Sequence, residues 1–558
     1  MHRRISLTLL FIALPLQAAV TDSSQRLDQQ VTHQQEQEKA RYQQLAPAGK
    51  EVRATSGAAD GNTVIFPEEE ACLPIQQVVL DNTGRLPRKL KLNALAIQGE
   101  GRCLGINGIK ALVTALQNRL IDQGYITTRV LTPRQDLRSG TLTLTIVPGT
   151  VGKLALTPDS NSRVSLDSAF PVARGEILDL RAIEQGLENL QRIPGVSATI
   201  QLVPGAHDGE TDVLIDRQMP SFWRVGGWLD DSGSKFSGRY QTGVALYLDN
   251  PAALNDQFYI SLGRNLHAKN SHHAKNASIY YSVPYGYWSL DLYAGKNETL
   301  QSIPGTWSDF HYLGKTRTMS ARLNRILSRG AKQKTTFNVQ LLKRDSHYYL
   351  NETEILIQER DTTTVMLGLN HRHYFGDNVL DATLSWQRNV KWLGAESSVA
   401  ERFGSNDALA RAITLDVNAV MPFNLLNQSM SYQARFRQQY SPDRLSTQDK
   451  FSMGNRWTVR GFDGEYNLMA DRGFYLRNDL NLNLPRWNSQ VYLGMDYGQV
   501  SGGGSETWSG KRMAGSVIGL RGAKWGLGYD AFVGTPLSKP ENFHTSSLNA
   551  GFTVQWQF

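Results

Sequence analysis

The last stretch of the sequence alternates cleanly between apolar and polar positions. Leu548, Ala550, Phe552, Val554, Trp556 and Phe558 fall on one face, and Asn549, Gly551, Thr553, Gln555 and Gln557 fall on the other. A period of two marks a β-strand whose two faces meet different surroundings. A wholly apolar face opposite a polar or tiny one suits a strand standing between lipid and an aqueous lumen, although a half-buried strand of a soluble sheet alternates in the same way. The rest of the chain discriminates between these readings. Mean hydropathy is −0.37, and beyond the first twenty residues no apolar run reaches the roughly 20 residues that a membrane helix needs. A membrane protein has this composition only if half of each spanning strand is polar, as in a closed barrel. The 21 Tyr, 11 Trp and 19 Phe are ample for interfacial girdles, and the 49 Gly suit turns and a crowded lumen.

The first residues read as a secretion signal over 1–19. Arg3 and Arg4 form its charged region, 5–16 are apolar, and the small residues Ala18 and Ala19 follow as the cleavage site. The apolar run is too short for an anchor. An aromatic residue closing an alternating strand resembles the C-terminal targeting signal of bacterial outer-membrane proteins, so Trp556 and Phe558 are assigned to membrane targeting. The two ends together place the chain in the outer membrane of a Gram-negative bacterium. Net charge is +8, or +6 without Arg3 and Arg4. For 558 residues this is mild and demands no nucleic-acid partner. Cys72 and Cys103 are the two cysteines. In an oxidising periplasm they read as one structural disulfide, since two residues cannot close a zinc site and no CxxC is present.

Between the ends, composition changes four times. Residues 20–45 are rich in Gln, Glu, Lys and Arg with good helix propensity and no apolar stripe, so this helix is either disordered or held inside something wet. Residues 46–66 read as a flexible linker. Then follow two α+β modules, 67–149 and 150–218. The first has an amphipathic helix over 106–123, with Ile109, Leu112, Val113, Leu116 and Leu120 on one face, and strands over 126–131 and 141–147. The second repeats the plan: a strand over 151–156, a helix capped by Asp179, and strands over 198–203 and 211–215. From 219 to 558 alternating strands replace helices. Short turns alternate with long polar stretches near 297–308, 346–360, 393–408, 441–470 and 536–546, the outer-membrane arrangement, and the length suits about 16 strands.

This order resembles the two-partner-secretion transporters of the Omp85 superfamily, which have a plug helix, a linker, two periplasmic POTRA domains and a 16-stranded barrel. Val459-Arg460-Gly461-Phe462, within the 441–470 stretch, matches the VRGF motif that the family carries on a loop folded back into the barrel. Gly494-Met495-Asp496-Tyr497-Gly498 resembles the family's second motif, around an inward-facing Asp. The resemblance implies that Arg460 pairs with Asp496 across the lumen. The chemistry agrees, because an Arg in a partly wet pore needs a carboxylate and its planar fork binds one bidentately. Gly461 would let the loop turn tightly, and Gly498 would leave room for it. The family implies export of a large exoprotein bearing an N-terminal secretion domain, without catalysis or a resident cofactor. It also implies contact with outer-membrane lipid, and with barrel-assembly machinery and periplasmic chaperones during biogenesis. Within the family the chain looks closest to exporters of haemolysins and contact-dependent-inhibition toxins. For haemolysin exporters the resemblance adds activation of the toxin, assisted by phosphatidylethanolamine.

The competing readings are a barrel-assembly insertase of the same superfamily and a passive porin. Insertases usually carry more POTRA domains and no plug helix, and a porin leaves both modules unexplained. Gly504–Arg512 lacks the glycine spacing and the Ser/Thr of a phosphate loop, and His267, His272 and His273 read as a surface loop without further metal ligands.

Overall fold

Each strand of the barrel needs a partner on both edges, because lipid offers its backbone no hydrogen bonds. The chain meets this need by closing on itself. In the computed structural model, which describes residues 36–45, 51–53 and 63–558 apart from 269–271, 304–308, 398, 403 and 405, sixteen antiparallel spanning strands follow one another in chain order. The first, Trp223–Asp230, pairs with the last, Asn549–Gln557, over Asp230↔Thr553 to Gly226↔Gln557. Val225 and Phe558 extend the seam by exchanging N–H···O bonds of 3.0 and 2.9 Å. The expected secretion signal, residues 20–35 and most of the linker lie outside the described residues.

Two of the expected long loops are largely strand. Trp288–Ile303, Phe310–Arg329 and Gln333–Leu350 run for 16, 20 and 18 residues, so 297–303 and 346–350 continue the sheet. Their polarity reflects water on both faces above the membrane, while pairing continues. His273, expected in a loop, opens the strand His273–Tyr285 for the same reason and sits 3.1 Å from Glu298.

The two modules share one topology. In the first, Thr141–Val147 lies between Gln77–Asp81 (parallel) and the short antiparallel strand Arg129–Leu131. In the second, Glu210–Gln218 lies between Thr150–Leu156 (parallel) and Ser197–Pro204 (antiparallel). The helices Ile106–Asp122 and Leu180–Gln191 cover these sheets, burying Leu112, Leu116 and Leu120 in one core and Ile183 and Leu190 in the other. The strand expected over 126–131 begins only at Arg129, because Tyr125–Thr128 form a turn whose Thr128 N–H donates to the Tyr125 carbonyl at 3.3 Å.

Cys72 and Cys103 are bonded, with Cα atoms 5.2 Å apart. They tie the segment carrying Glu69 beside the start of the 106–122 helix, where the Glu69 carboxylate accepts N–H bonds from Gly105 (2.9 Å), Asn107 (2.8 Å) and Gly108 (2.7 Å). Desolvation pushes this carboxyl up, but the backbone donors outweigh it and hold it below the ordinary glutamate range. A depressed folded value means that the clamp is intact above the ordinary pKa of about 4.3 and is lost as pH falls through the lower folded value. Thermal unfolding of the separate 63–218 piece, followed by circular dichroism, is therefore expected to show an acid-dependent loss that Glu69→Gln reduces. Parallel acid curves for the two proteins would remove Glu69 from this account.

The second module docks on the periplasmic turns of the barrel. Asn189 Nδ2 donates to the Gly286 carbonyl at 2.8 Å, Gln257 Nε2 to the Arg192 carbonyl at 2.6 Å, and Asn250 Nδ2 to the Arg163 carbonyl at 2.7 Å. Arg329 of the barrel meets Glu188 at 2.7 Å and also donates to the Val52 carbonyl of the linker. Glu51 pairs with Arg372 at 3.1 Å, and Arg53 lies 4.1 Å over the Tyr374 ring. Residues 51–53 are thus held along the periplasmic rim.

Candidate functional site

The lumen is filled from two directions. From the outer side, the stretch after Tyr440 folds inward through a small hairpin, Phe451–Met453 with Leu468–Ala470. At its tip the sequence turns back at Gly461, whose φ is +96° and where a Cβ would stand 2.4 Å from the Thr535 carbonyl oxygen. Only glycine has both the left-handed freedom and the missing atom that this turn requires.

Arg460 is thereby aimed at the barrel wall. Its Nε and Nη2 donate to the two oxygens of Asp496 at 2.7 and 2.8 Å, and its own backbone N–H donates to Asp496 at 2.9 Å. Nη2 also reaches Asp479 Oδ1 at 2.5 Å. Arg460 is 4 % exposed and the Asp496 side chain 0 %, so the pair is drier than the partly wet pore expected from the sequence. Val459 and Phe462 explain the dryness. They are buried with Met453, Tyr475, Met513 and Phe543 in an apolar cluster on the lumen side, and Phe462 meets Phe543 edge-on at 5.7 Å. Gly498 lies beneath this cluster, where a Cβ would be 2.4 Å from Met453 Sδ and 3.0 Å from Val459 Cγ2.

The sequence reading missed Asp479, the second carboxylate on Arg460. The alternation of Arg472–Leu484 puts it on the same face as Arg477, so the signal was present without a reason to select it. Also missed was Arg456, which pairs with Asp231 at 2.5 Å and donates to the Phe552 carbonyl at 3.4 Å. One loop residue thus touches the last strand and the residue that follows the first, on the two sides of the closing seam.

From the periplasmic side the helix 36–45 enters the lumen. Glu36 accepts hydrogen bonds from Ser452 (2.8 Å) and Asn455 (2.6 Å) of the inward loop. Glu38 accepts from Tyr293 (3.0 Å) and Asn297 (2.7 Å) of the wall. Arg41 pairs with Asp230 at 2.5 Å and lies 4.4 Å over the Trp228 ring, while Gln44 donates to Gln555 at 2.6 Å. The expectation that this helix has no apolar foothold needs correction. Leu45 and Tyr42 pack in a cluster with Trp228, Tyr247, Tyr259, Tyr280 and Tyr293. Two apolar positions suffice here because the wall supplies the rings. Among the described residues no group of three His, Cys, Asp or Glu side chains is placed to hold a metal ion.

Residues 209–522 match the family model of haemolysin secretion/activation proteins of the ShlB/FhaC/HecB type. The chain belongs to this family. Residues 73–149 match the ShlB-type POTRA domain and 150–204 a further POTRA domain model. The outer membrane transporter CdiB-2 of Burkholderia pseudomallei (strain 1026b) is 34 % identical over 513 residues, which is 88 % of each chain. The hemolysin transporter protein ShlB of Serratia marcescens is 27 % identical over 86 % of this chain and 83 % of its own. Among solved structures, CdiB from Acinetobacter baumannii superposes with a TM-score of 0.82 at 27 % identity, covering 95 % of this chain and 99 % of that one. The protein is therefore a two-partner-secretion transporter of the outer membrane, with its POTRA domains in the periplasm.

Proposed function

We propose that this transporter carries an unfolded exoprotein of the contact-dependent-inhibition or haemolysin type through the lumen described above. The observation that carries the reading is how the two stoppers are held. The helix 36–45 is attached by side-chain hydrogen bonds, one ion pair and two apolar residues, contacts that can be exchanged for those of a passing chain. The inward loop is instead anchored in a dry apolar cluster around Arg460. The helix is then the part that leaves and the loop the part that stays or rearranges. Val459, Arg460, Gly461, Phe462, Asp496 and Gly498 together hold the loop on the wall, and Trp556 and Phe558 direct the barrel to its membrane.

The POTRA domains receive the partner's N-terminal secretion domain, whose extended backbone adds to an open sheet edge. Folding of the cargo outside prevents its return and supplies the direction. A helix in the lumen and two POTRA domains fit export better than insertion of other barrels. Deleting residues 67–218 is expected to reduce the cognate exoprotein in the medium to background, while the barrel keeps its heat-modifiable mobility in electrophoresis. Normal secretion by that variant would overturn the reading.

A further inference from the structure

The plug contacts show which way the neighbouring strands face. Tyr259, Tyr280, Tyr293 and Asn297 reach the helix 36–45 and so point into the lumen. Alternation turns Arg264, Lys275 and Lys296 outward, and all three are exposed. On the next strand Met319, Leu323 and Leu327 face lipid, being 59, 43 and 55 % exposed, and Arg317 shares their face.

These four cations stand at one level. Arg264 is directly opposite Lys275, and Lys296 directly opposite Arg317, while Lys275 is opposite Glu298, two positions along from Lys296. Their height follows from strand geometry. From Leu327 to Arg317 the chain rises roughly 33 Å at about 3.3 Å per residue, or about 25 Å across the membrane at a tilt of about 40°, the height of a barrel's apolar band. The row lies at the end away from the POTRA domains, where the strands meet the outer leaflet. At the opposite end the same strands present Tyr285 and Trp288, with Arg325 stacked 4.7 Å over the Trp288 ring.

A lone Lys or Arg at a membrane interface needs no explanation, since its head reaches water. Two like-charged pairs set directly across neighbouring strands are different, because such pairs repel. Local carboxylates offset them only in part: Glu298 stands directly opposite Lys275 and Asp345 directly opposite Arg317. Glu298 is shared between His273 at 3.1 Å and Lys275 at 3.7 Å. Asp345, opposite Arg317, is held by His347 at 2.9 Å. Among the described residues no carboxylate lies within ion-pair distance of Arg264, Lys296 or Arg317. The row therefore has excess positive charge at the depth where the outer leaflet of a Gram-negative membrane carries phosphorylated glycolipid.

We propose that Arg264, Lys275, Lys296 and Arg317 form a binding surface for the phosphates of lipid A, with the acyl chains lying against Leu262, Ala277, Ile279 and Met319 below. Guanidinium and ammonium groups bind phosphate by charge-assisted hydrogen bonds, and several side by side match a headgroup with two phosphates. The lipid would brace from outside the strands that hold the plug helix inside. Lipid binding at this surface is read out without cargo and does not depend on secretion.

The test uses the full-length protein in a non-ionic detergent, with native mass spectrometry to count bound lipid. The probes are bisphosphorylated lipid A, dephosphorylated lipid A and phosphatidylglycerol. The bisphosphorylated form is expected to bind at least tenfold more tightly than the other two, less tightly as salt rises, and about tenfold more weakly to R264Q/K296Q/R317Q. Equal binding of the dephosphorylated form, equal binding of phosphatidylglycerol, or undiminished binding by a folded triple variant would overturn it. If the triple variant does not fold, the comparison of the three lipids on the unaltered protein still decides.

Discussion

Arg460→Ala is expected to lower secretion of the cognate exoprotein at least tenfold while the barrel still assembles. The substitution leaves Asp496, whose side chain is 0 % exposed, without its guanidinium partner, and leaves Asp479, 9 % exposed, to the longer contact with Arg521 at 3.6 Å. Removing one partner of a buried pair costs about 3–5 kcal/mol, and each 1.36 kcal/mol is tenfold in population, so the docked loop would cease to be the dominant state. Arg460→Lys restores charge without the fork and is expected to rescue only in part. Asp496→Asn is expected to be milder, since Asp479 still holds Nη2 at 2.5 Å. Exchanging the two residues is not expected to rescue secretion. The backbone N–H of residue 460 also donates to Asp496, and an Asp at 460 would face Asp479. Secreted exoprotein and protease access to the 441–470 loop on intact cells measure the effect. Undiminished secretion by Arg460→Ala would exclude the pair from the mechanism.

Removing the plug contacts should open the pore without disturbing the loop. Arg41→Ala loses a mostly buried ion pair to Asp230 and the stack on Trp228. A charge-assisted hydrogen bond contributes about 1.5–3 kcal/mol, which makes open events roughly ten to a hundred times more frequent. Adding Leu45→Ala takes away the apolar foothold and increases the effect. Conductance of the purified protein in planar lipid bilayers is the measurement, with Asp230→Asn as the reciprocal change. Unchanged event frequency in all three variants would mean that the helix does not gate the lumen.

Much of the architecture was legible because it is written in local periodicity. The alternation from Leu548 to Phe558 needs only a pleated backbone with lipid on one side, and the 106–122 helix only its 3.6-residue stripe. Arg460 and Asp496 were legible through their motifs. The helix Leu180–Gln191 was legible as a helix and misleading as a surface. Arg181, Glu184, Gln185 and Asn189 would ordinarily face water, yet they are buried at 3–7 % exposure because the barrel's turns cover the side turned away from the sheet. Likewise Tyr42 and Leu45 are too few to make an apolar stripe, and their socket is assembled from five strands far along the chain.

The sequence by itself therefore determined the barrel, the two repeated modules and the residue types able to bridge a lumen, since a strand or helix carries its own period whatever it packs against. The tertiary structure alone decided that Asp479 joins Arg460 and that Arg456 reaches both sides of the seam. It alone placed four cations, from four strands, in one outward row. Each of these depends on register between segments tens to hundreds of residues apart. A shift of two residues would keep every face as it is and separate every one of those groups by about 7 Å.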